Sequence, residues 1–377
     1  MRYLSLLLGF ALAASAQTKT TWEDFPGYTL SNGTIDVTVL TTGGTIASVV
    51  LSAEKDKLNP LWDPIRFARE TGKSYRRSGG GLGAFLCVDG FGGVSREEQA
   101  AGLQGHGEAH RQSFETRLAR NENGNQTITL ETDLPILQER LTRTYEVRQG
   151  ENIVYVRSKL QSLLAFDRPL VWAEHATIGS PFLEAGVTVV DMPAKRAQTR
   201  PYDTPEQHRL ASGKDFEWPM APQVNGKLVD VRAAPINLGT GDHTTSLMDP
   251  SRKLAFATAI HPQKRLIVGW IWKPADYPWV QSWESYPTTG KLARGLEFST
   301  QPYDVPRREA VDTHEMFGVP TYQWLPAKSA VEKSFALFYA PLPEGMTKVT
   351  DVRLENGQLL IEDGVGHRIT LRSTGSL

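Results

Sequence analysis

Residues 28–51 read YTLSNGTIDVTVLTTGGTIASVVL. From Thr34 to Leu40 the apolar Ile35, Val37 and Val39 alternate with Thr34, Asp36 and Thr38. That period of two is the pattern of a strand with one buried face. Asn32-Gly33 ahead of it is a turn dipeptide, and a second β-branched run, 45–51, follows Gly43-Gly44.

The same pattern recurs along the chain. Leu141, Arg143, Tyr145 and Val147 alternate with Thr142, Thr144 and Glu146. Further strands are expected at 127–131, 153–159, 187–191, 254–260, 266–272, 335–340, 352–354 and 369–371, with turns at Asn123-Gly124 and Asn356-Gly357. Helical pieces are short, at 64–71 and 96–103, and no segment holds a helical period over three or four turns. Many short strands with few helices predict an all-β fold, a sandwich or barrel and not a parallel α/β sheet. No repeat, low-complexity linker or charge block divides the chain, so one domain is expected over 18–377. The longest stretch without a pattern is 192–223. The glycine-rich 78–93, SGGGLGAFLCVDGFGG, implies tight turns; a nucleotide-binding reading would need a helix directly after it, and none is indicated.

Composition narrows the function classes. Over 377 residues the chain is 40% hydrophobic and 22% charged, with a net charge of −1, which fits a globular protein with a sizeable core. The one close basic grouping, Lys73 with Arg76-Arg77, is no footprint for nucleic acid, so none is expected as a partner. Cys87 is the sole cysteine, which excludes an intrachain disulfide. Residues 1–16 have a basic start, an apolar run and Ala14-Ser15-Ala16, the features of a signal peptide. An exported protein, periplasmic or extracellular, is expected, with no membrane span once the leader is removed.

Three stretches carry polar groups suited to chemistry. Residues 170–184, LVWAEHATIGSPFLE, deliver His175 near the end of a strand that breaks at Gly-Ser-Pro. Residues 105–111, GHGEAHR, hold His106, His110 and Arg111, and residues 295–304, GLEFSTQPYD, hold Glu297. Strand alternation should turn Glu174 away from His175. His106 and His110 are four apart, but Gly107 disfavours a helix and the His-Glu-x-x-His order of zinc proteases is absent, so no metal is expected. In residues 269–283, Trp270 and Trp272 share a strand face and read as core. Trp279, Trp283 and, in the long loop, Trp218 are candidates to stack on a ligand.

Two family resemblances attach to these residues. VLTTGGTIAS at 39–48 resembles the first signature of L-asparaginases, but that family's second block is not matched, since His106-Gly107 is followed by Glu108-Ala109-His110. Read with its neighbours, 28–51 instead resembles the opening hairpin of galactose mutarotase-like proteins, the aldose 1-epimerase superfamily. The resemblance continues in order through the glycine-rich region, His106-Gly107, His175 and Leu296-Glu297. It implies a β-supersandwich that binds a mono- or oligosaccharide, with His106, His175 and Glu297 as catalytic residues and no cofactor. It puts an arginine where His110 stands, leaving open whether His110 or Arg111 faces the sugar, and it places a sugar-binding aspartate at Asp242.

The implied chemistry suits these side chains. Opening a pyranose ring takes the proton from the C1 hydroxyl and protonates the ring oxygen, and reclosure after rotation gives the other anomer. A carboxylate serves as the base, Glu297, and an imidazole as the acid, His175, with His106 holding hydroxyls or the ring oxygen. Two other functions remain on the same fold: a non-catalytic carbohydrate-binding protein, and a polysaccharide lyase or glycoside hydrolase. A hydrolase would need a second acid at a set distance from Glu297, for which Glu174 and Asp242 are the candidates.

Overall fold

The computed structural model describes residues 17–72, 81–236, 239–288 and 291–377. The leader-like 1–16 and the basic grouping within 73–77 lie outside them. Two large antiparallel sheets face each other. The twelve-stranded sheet starts at Thr18–Trp22, Phe25–Ser31, Ile35–Leu40 and Ile46–Leu51 and continues through Ala84–Val88 to Trp172–Gly179. Beyond these lie Ala293–Gly295 and Glu297–Ser299, then Trp279–Ser285, His243–Met248, Ala194–Thr199 and Asp215–Glu217. The eight-stranded sheet runs from Val189–Asp191 through Ala255–His261, Leu266–Trp272, Ala330–Pro341, Ile153–Ser162, Glu139–Val147 and Asn125–Leu134 to Glu115–Glu122.

The all-β expectation holds, and the short helices are Pro64–Glu70, Arg96–Ala100 and Arg307–Thr313. Asn32 shows how a turn residue sets the first hairpin. Its Oδ1 accepts the Thr34 and Ile35 backbone N–H groups at 2.9 Å each, and its Nδ2 donates to the Arg148 and Glu151 carbonyls. Val37 and Val39 then point between the sheets, with Leu130, Leu141 and Tyr145 of the facing sheet in the same core.

Leu266–Trp272 is apolar throughout because it is covered on both sides. Leu266, Val268, Trp270 and Trp272 enter the core between the large sheets. Ile267 and Ile271 face outward, where a three-stranded sheet, Asp351–Glu355, Gln358–Glu362 and Arg368–Arg372, covers them with Val352, Ile361 and Ile369.

Glu174 points away from His175, into the space between the sheets, as alternation requires. There Arg143 Nη1 and Nη2 donate to its two carboxylate oxygens at 2.8 and 2.7 Å, both side chains being fully buried. Glu174 is thereby removed as a second acid at the cleft.

The stretch 192–223 is not an open loop. Ala194–Thr199 pairs with both His243–Met248 and Asp215–Glu217, and Met220–Pro222 forms a small hairpin with Leu228–Asp230. A register shift between Ala194 and Arg196 breaks the alternation, which hides the strand from a period-two reading. Among the described residues no helix is long and apolar enough to cross a membrane.

Candidate active site

The site is a row of side chains laid across adjacent strands of the twelve-stranded sheet. His175 lies opposite Phe85 on one side, and Glu174 lies opposite Phe298 on the other, which brings His175 beside Glu297. Glu297 is in turn opposite Gln281. Phe85, His175, Glu297 and Gln281 thus share one level and one face. The next level holds Thr177 opposite Gly295, and Trp283 opposite His243. Above these rows opens a cleft of about 380 Å³, within the range of small-molecule sites, which Trp62, His106, His110, Arg111 and Asp304 also line.

His175 Nε2 and Glu297 Oε1 are 3.0 Å apart. The imidazole is fixed from two sides: Phe85 stacks on it with ring centres 4.2 Å apart, and the Thr177 hydroxyl meets Nδ1 at 2.9 Å. Glu297 is buried, and among the described residues only its Oε2 accepts a directed hydrogen bond, from Gln281 Nε2 at 2.7 Å. The Gln281 amide is itself oriented, because its Oε1 accepts the Asp304 backbone N–H at 2.6 Å. Glu297 Oε1 is left beside His175 with no directed bond of its own. Gly295 explains the glycine two residues before the glutamate: a Cβ there would lie 2.1 Å from Glu297 Oε1 and 2.8 Å from its carboxyl carbon.

His106 enters from the loop after Ala84–Val88. It and Gly107 both take left-handed backbone, φ +67° and +76°, and a Cβ on Gly107 would meet the Val88 carbonyl at 2.2 Å. Gly107 is therefore a local necessity of the turn. The His106 ring meets that of His175 edge-on at 5.3 Å. Its Nδ1 accepts the Gly92 N–H at 3.3 Å, which leaves the proton on Nε2. Burial, with His175 and His110 adding to it, pulls its pKa down to about 3.

His110 is buried and donates from Nδ1 to the His106 carbonyl at 3.2 Å, so its Nε2 accepts from Arg111 Nε at 2.8 Å. Burial and the neighbouring Arg111 charge lower its pKa to about 3 as well. Both His110 and Arg111 thus reach the cleft, the first as a buried neutral prop and the second at the rim. Among the described residues no cluster of three or more His, Cys, Asp or Glu is placed to hold a metal.

Three expected binding residues lie elsewhere. Asp242 is buried in an ion pair with Arg209 at 2.5 Å. Burial and the Glu284 charge raise its pKa to about 7. The cleft side of that corner belongs to the next residue, His243, as strand alternation dictates. Trp279 shares the site face of its strand but is fully buried, since Phe317 and Pro320 cover it; its Nε1 donates to the Pro320 carbonyl at 3.4 Å. Trp218 packs into the core under the small hairpin around Met220. Trp283, two residues past Gln281, does line the cleft.

Trp62, Phe85, Thr177, Gln281 and Asp304 are lining residues that sequence reasoning passed over. Gln281 alone left a signal, as the polar residue between two tryptophans on one strand face.

No protein-family model and no curated sequence matches the chain. Solved structures do. A candidate aldose 1-epimerase from Klebsiella pneumoniae superposes with a TM-score of 0.61 at 13% identity, over 84% of this chain and 80% of that one. A galactose mutarotase-like protein from Clostridium acetobutylicum gives 0.57 at 12% identity, over 87% and 99%. A galactose mutarotase related enzyme from Lactobacillus acidophilus gives 0.55 at 15% identity, over 84% and 99%. The chain therefore has the galactose mutarotase-like fold, the β-supersandwich.

Proposed function

We propose that the protein binds an aldose in this cleft and interconverts its anomers by acid/base ring opening. The observation that carries the reading is the Glu297–His175 pair, 3.0 Å apart, with Glu297 Oε1 free of any directed hydrogen bond among the described residues. Glu297 Oε1 takes the proton of the C1 hydroxyl. His175 Nε2 gives a proton to the ring oxygen as the C1–O5 bond breaks, leaving the open-chain aldehyde. After rotation about C1–C2, O5 attacks the other face of the carbonyl. Glu297 then returns its proton to O1, and His175 recovers one from O5.

The surroundings support these roles. Gln281 Nε2 donates to Oε2, which leaves Oε1 as the reacting oxygen. Thr177 can donate to or accept from His175 Nδ1, so the ring stays oriented in either protonation state. His106, neutral and protonated on Nε2, is a hydrogen-bond donor for a sugar hydroxyl. Trp62 and Trp283, which line the cleft, supply aromatic surface for the sugar's C–H groups.

The test is polarimetry. Freshly dissolved α-D-glucose, α-D-galactose and other aldoses should approach equilibrium rotation faster with the protein than in buffer. Glu297→Gln should remove most of that rate, since one positioned acid or base contributes on the order of 10²- to 10⁴-fold. Acceleration of no aldose would refute catalysis. Undiminished sugar binding by an inactive wild type would identify a carbohydrate-binding protein instead.

A further inference from the structure

We infer that the aldose this cleft takes is a hexuronate, with its C6 carboxylate held by Arg111. The inference rests on the anomer-interconverting reading above and adds the substrate class. It begins with the charges facing the cleft. Glu297 is beside His175, and Asp304 is ion-paired with Arg200. His106 and His110 are neutral near pH 7. Arg111 is a fixed cation that no acidic side chain neutralises among the described residues.

The guanidinium is also held in place. Arg111 Nε is used on His110 Nε2, and His110 is anchored on the His106 carbonyl. The two terminal nitrogens remain as a planar fork at the cleft rim. That fork matches the two charged oxygens of a carboxylate in a bidentate contact, whereas a neutral hydroxymethyl group presents a single uncharged oxygen.

Position makes the same point. Glu297, His175, Phe85, His110 and Arg111 are linked by successive contacts around the one cleft: Glu297 to His175 at 3.0 Å, Phe85 stacked on that ring, His110 with its ring centre 5.7 Å from Phe85, and Arg111 on His110. A hexopyranose presents its groups in a parallel order: the C1 hydroxyl, the ring oxygen, then C5 with its C6 substituent. With O1 at Glu297 and the ring oxygen at His175, the proposed pose turns the C6 group toward Arg111, the cation that lines the same cleft. A sugar reversed in the cleft would put C6 against the buried Glu297 carboxylate.

The experiment compares D-glucuronate and D-galacturonate with D-glucose and D-galactose, and with glucose 6-phosphate as the other source of an anion at C6. Anomer interconversion is followed at pH 7 by saturation-transfer NMR, with binding on the same panel by calorimetry. The expected result is a roughly five- to tenfold preference in kcat/KM and Kd for the hexuronate over the matching hexose, as one partly exposed charge pair would give. The preference should narrow in 0.5 M NaCl and collapse toward one in Arg111→Gln, with Arg111→Lys restoring it only in part. A hexuronate-to-hexose ratio at or below one would overturn the inference. So would a ratio unchanged in Arg111→Gln, or stronger acceptance of the 6-phosphate. If no sugar is interconverted, the catalytic reading fails, and the calorimetric ratio alone decides the anion preference.

Discussion

Replacing Gly295 with alanine adds one methyl group, yet it should disable the cleft. The added Cβ would sit 2.1 Å from Glu297 Oε1 and 3.0 Å from Cγ, against 3.4–4 Å for ordinary contact. The carboxylate must therefore retreat by about 1 Å, and misplacement of that size costs on the order of 10²-fold in rate. Retreat is resisted, because Glu297 is buried and its Oε2 is held by Gln281. Forcing a methyl into such a packed site should also lower stability by about 1–3 kcal/mol. The assay is the mutarotation rate of Gly295→Ala beside a thermal melt. Separating a clash with the glutamate from a general backbone effect takes a double-mutant cycle with Glu297→Ala. With the glutamate truncated, Gly295→Ala should cost almost no stability. A folded Gly295→Ala protein with more than a third of wild-type activity would refute the reasoning, and so would an undiminished stability cost in the Glu297→Ala background.

Other outcomes follow from the same geometry. Arg143→Met leaves the buried Glu174 carboxylate without its bidentate partner, so denaturant melts should show a loss of about 3–5 kcal/mol. His106 and His110, with folded pKa values of about 3 against 6.5 when exposed, make stability fall as the pH drops below about 6.5, because only the unfolded chain gains protons there. Glu139 and Asp242, raised to about 8 and about 7, act the opposite way and lose stability as the pH rises toward those values. The His110 contribution is therefore read as a difference: between pH 6 and 4 the melts of His110→Asn should depend on pH less steeply than wild type, by about 1.4 kcal/mol per unit. Asp242→Asn should alter the melt and its pH dependence while leaving the mutarotation KM within about twofold, since Asp242 lies outside the cleft; a tenfold rise in KM, roughly 1.4 kcal/mol, would restore it as a sugar ligand.

The fold was legible because its physics is local. Alternation in 34–40 and 140–147 follows from strands with one buried face, and the unbroken run 266–272 follows from a strand covered on both. Glu174 and His175 could be assigned to opposite faces by counting. Exposure of an aromatic ring was not legible, because it depends on chain distant in sequence. Trp279 and Trp283 share a strand and a face, yet residues near 317–320 cover only the first. Asp242 was assigned by its order in the chain, and one step of alternation turns it from the cleft to Arg209. Gln281 was missed because its importance comes from pairing with Glu297 across a strand boundary, a juxtaposition that no local pattern encodes.

The shared level of Phe85, His175, Glu297 and Gln281 bears on how such a cleft can change over time. Each of these side chains alternates with neighbours already committed to the core, as His175 does with Glu174. Shifting the row by one residue would exchange these cleft-facing side chains with the contents of the interior. The row can vary only by substitution in place, within tight steric limits of the kind Gly295 sets. Arg111, His106 and Trp62 come instead from segments between the strands, where length and sequence tolerate change. Under the proposed function, new sugar preferences should therefore arise at the rim by loop variation, while Glu297 and His175 beneath stay in place.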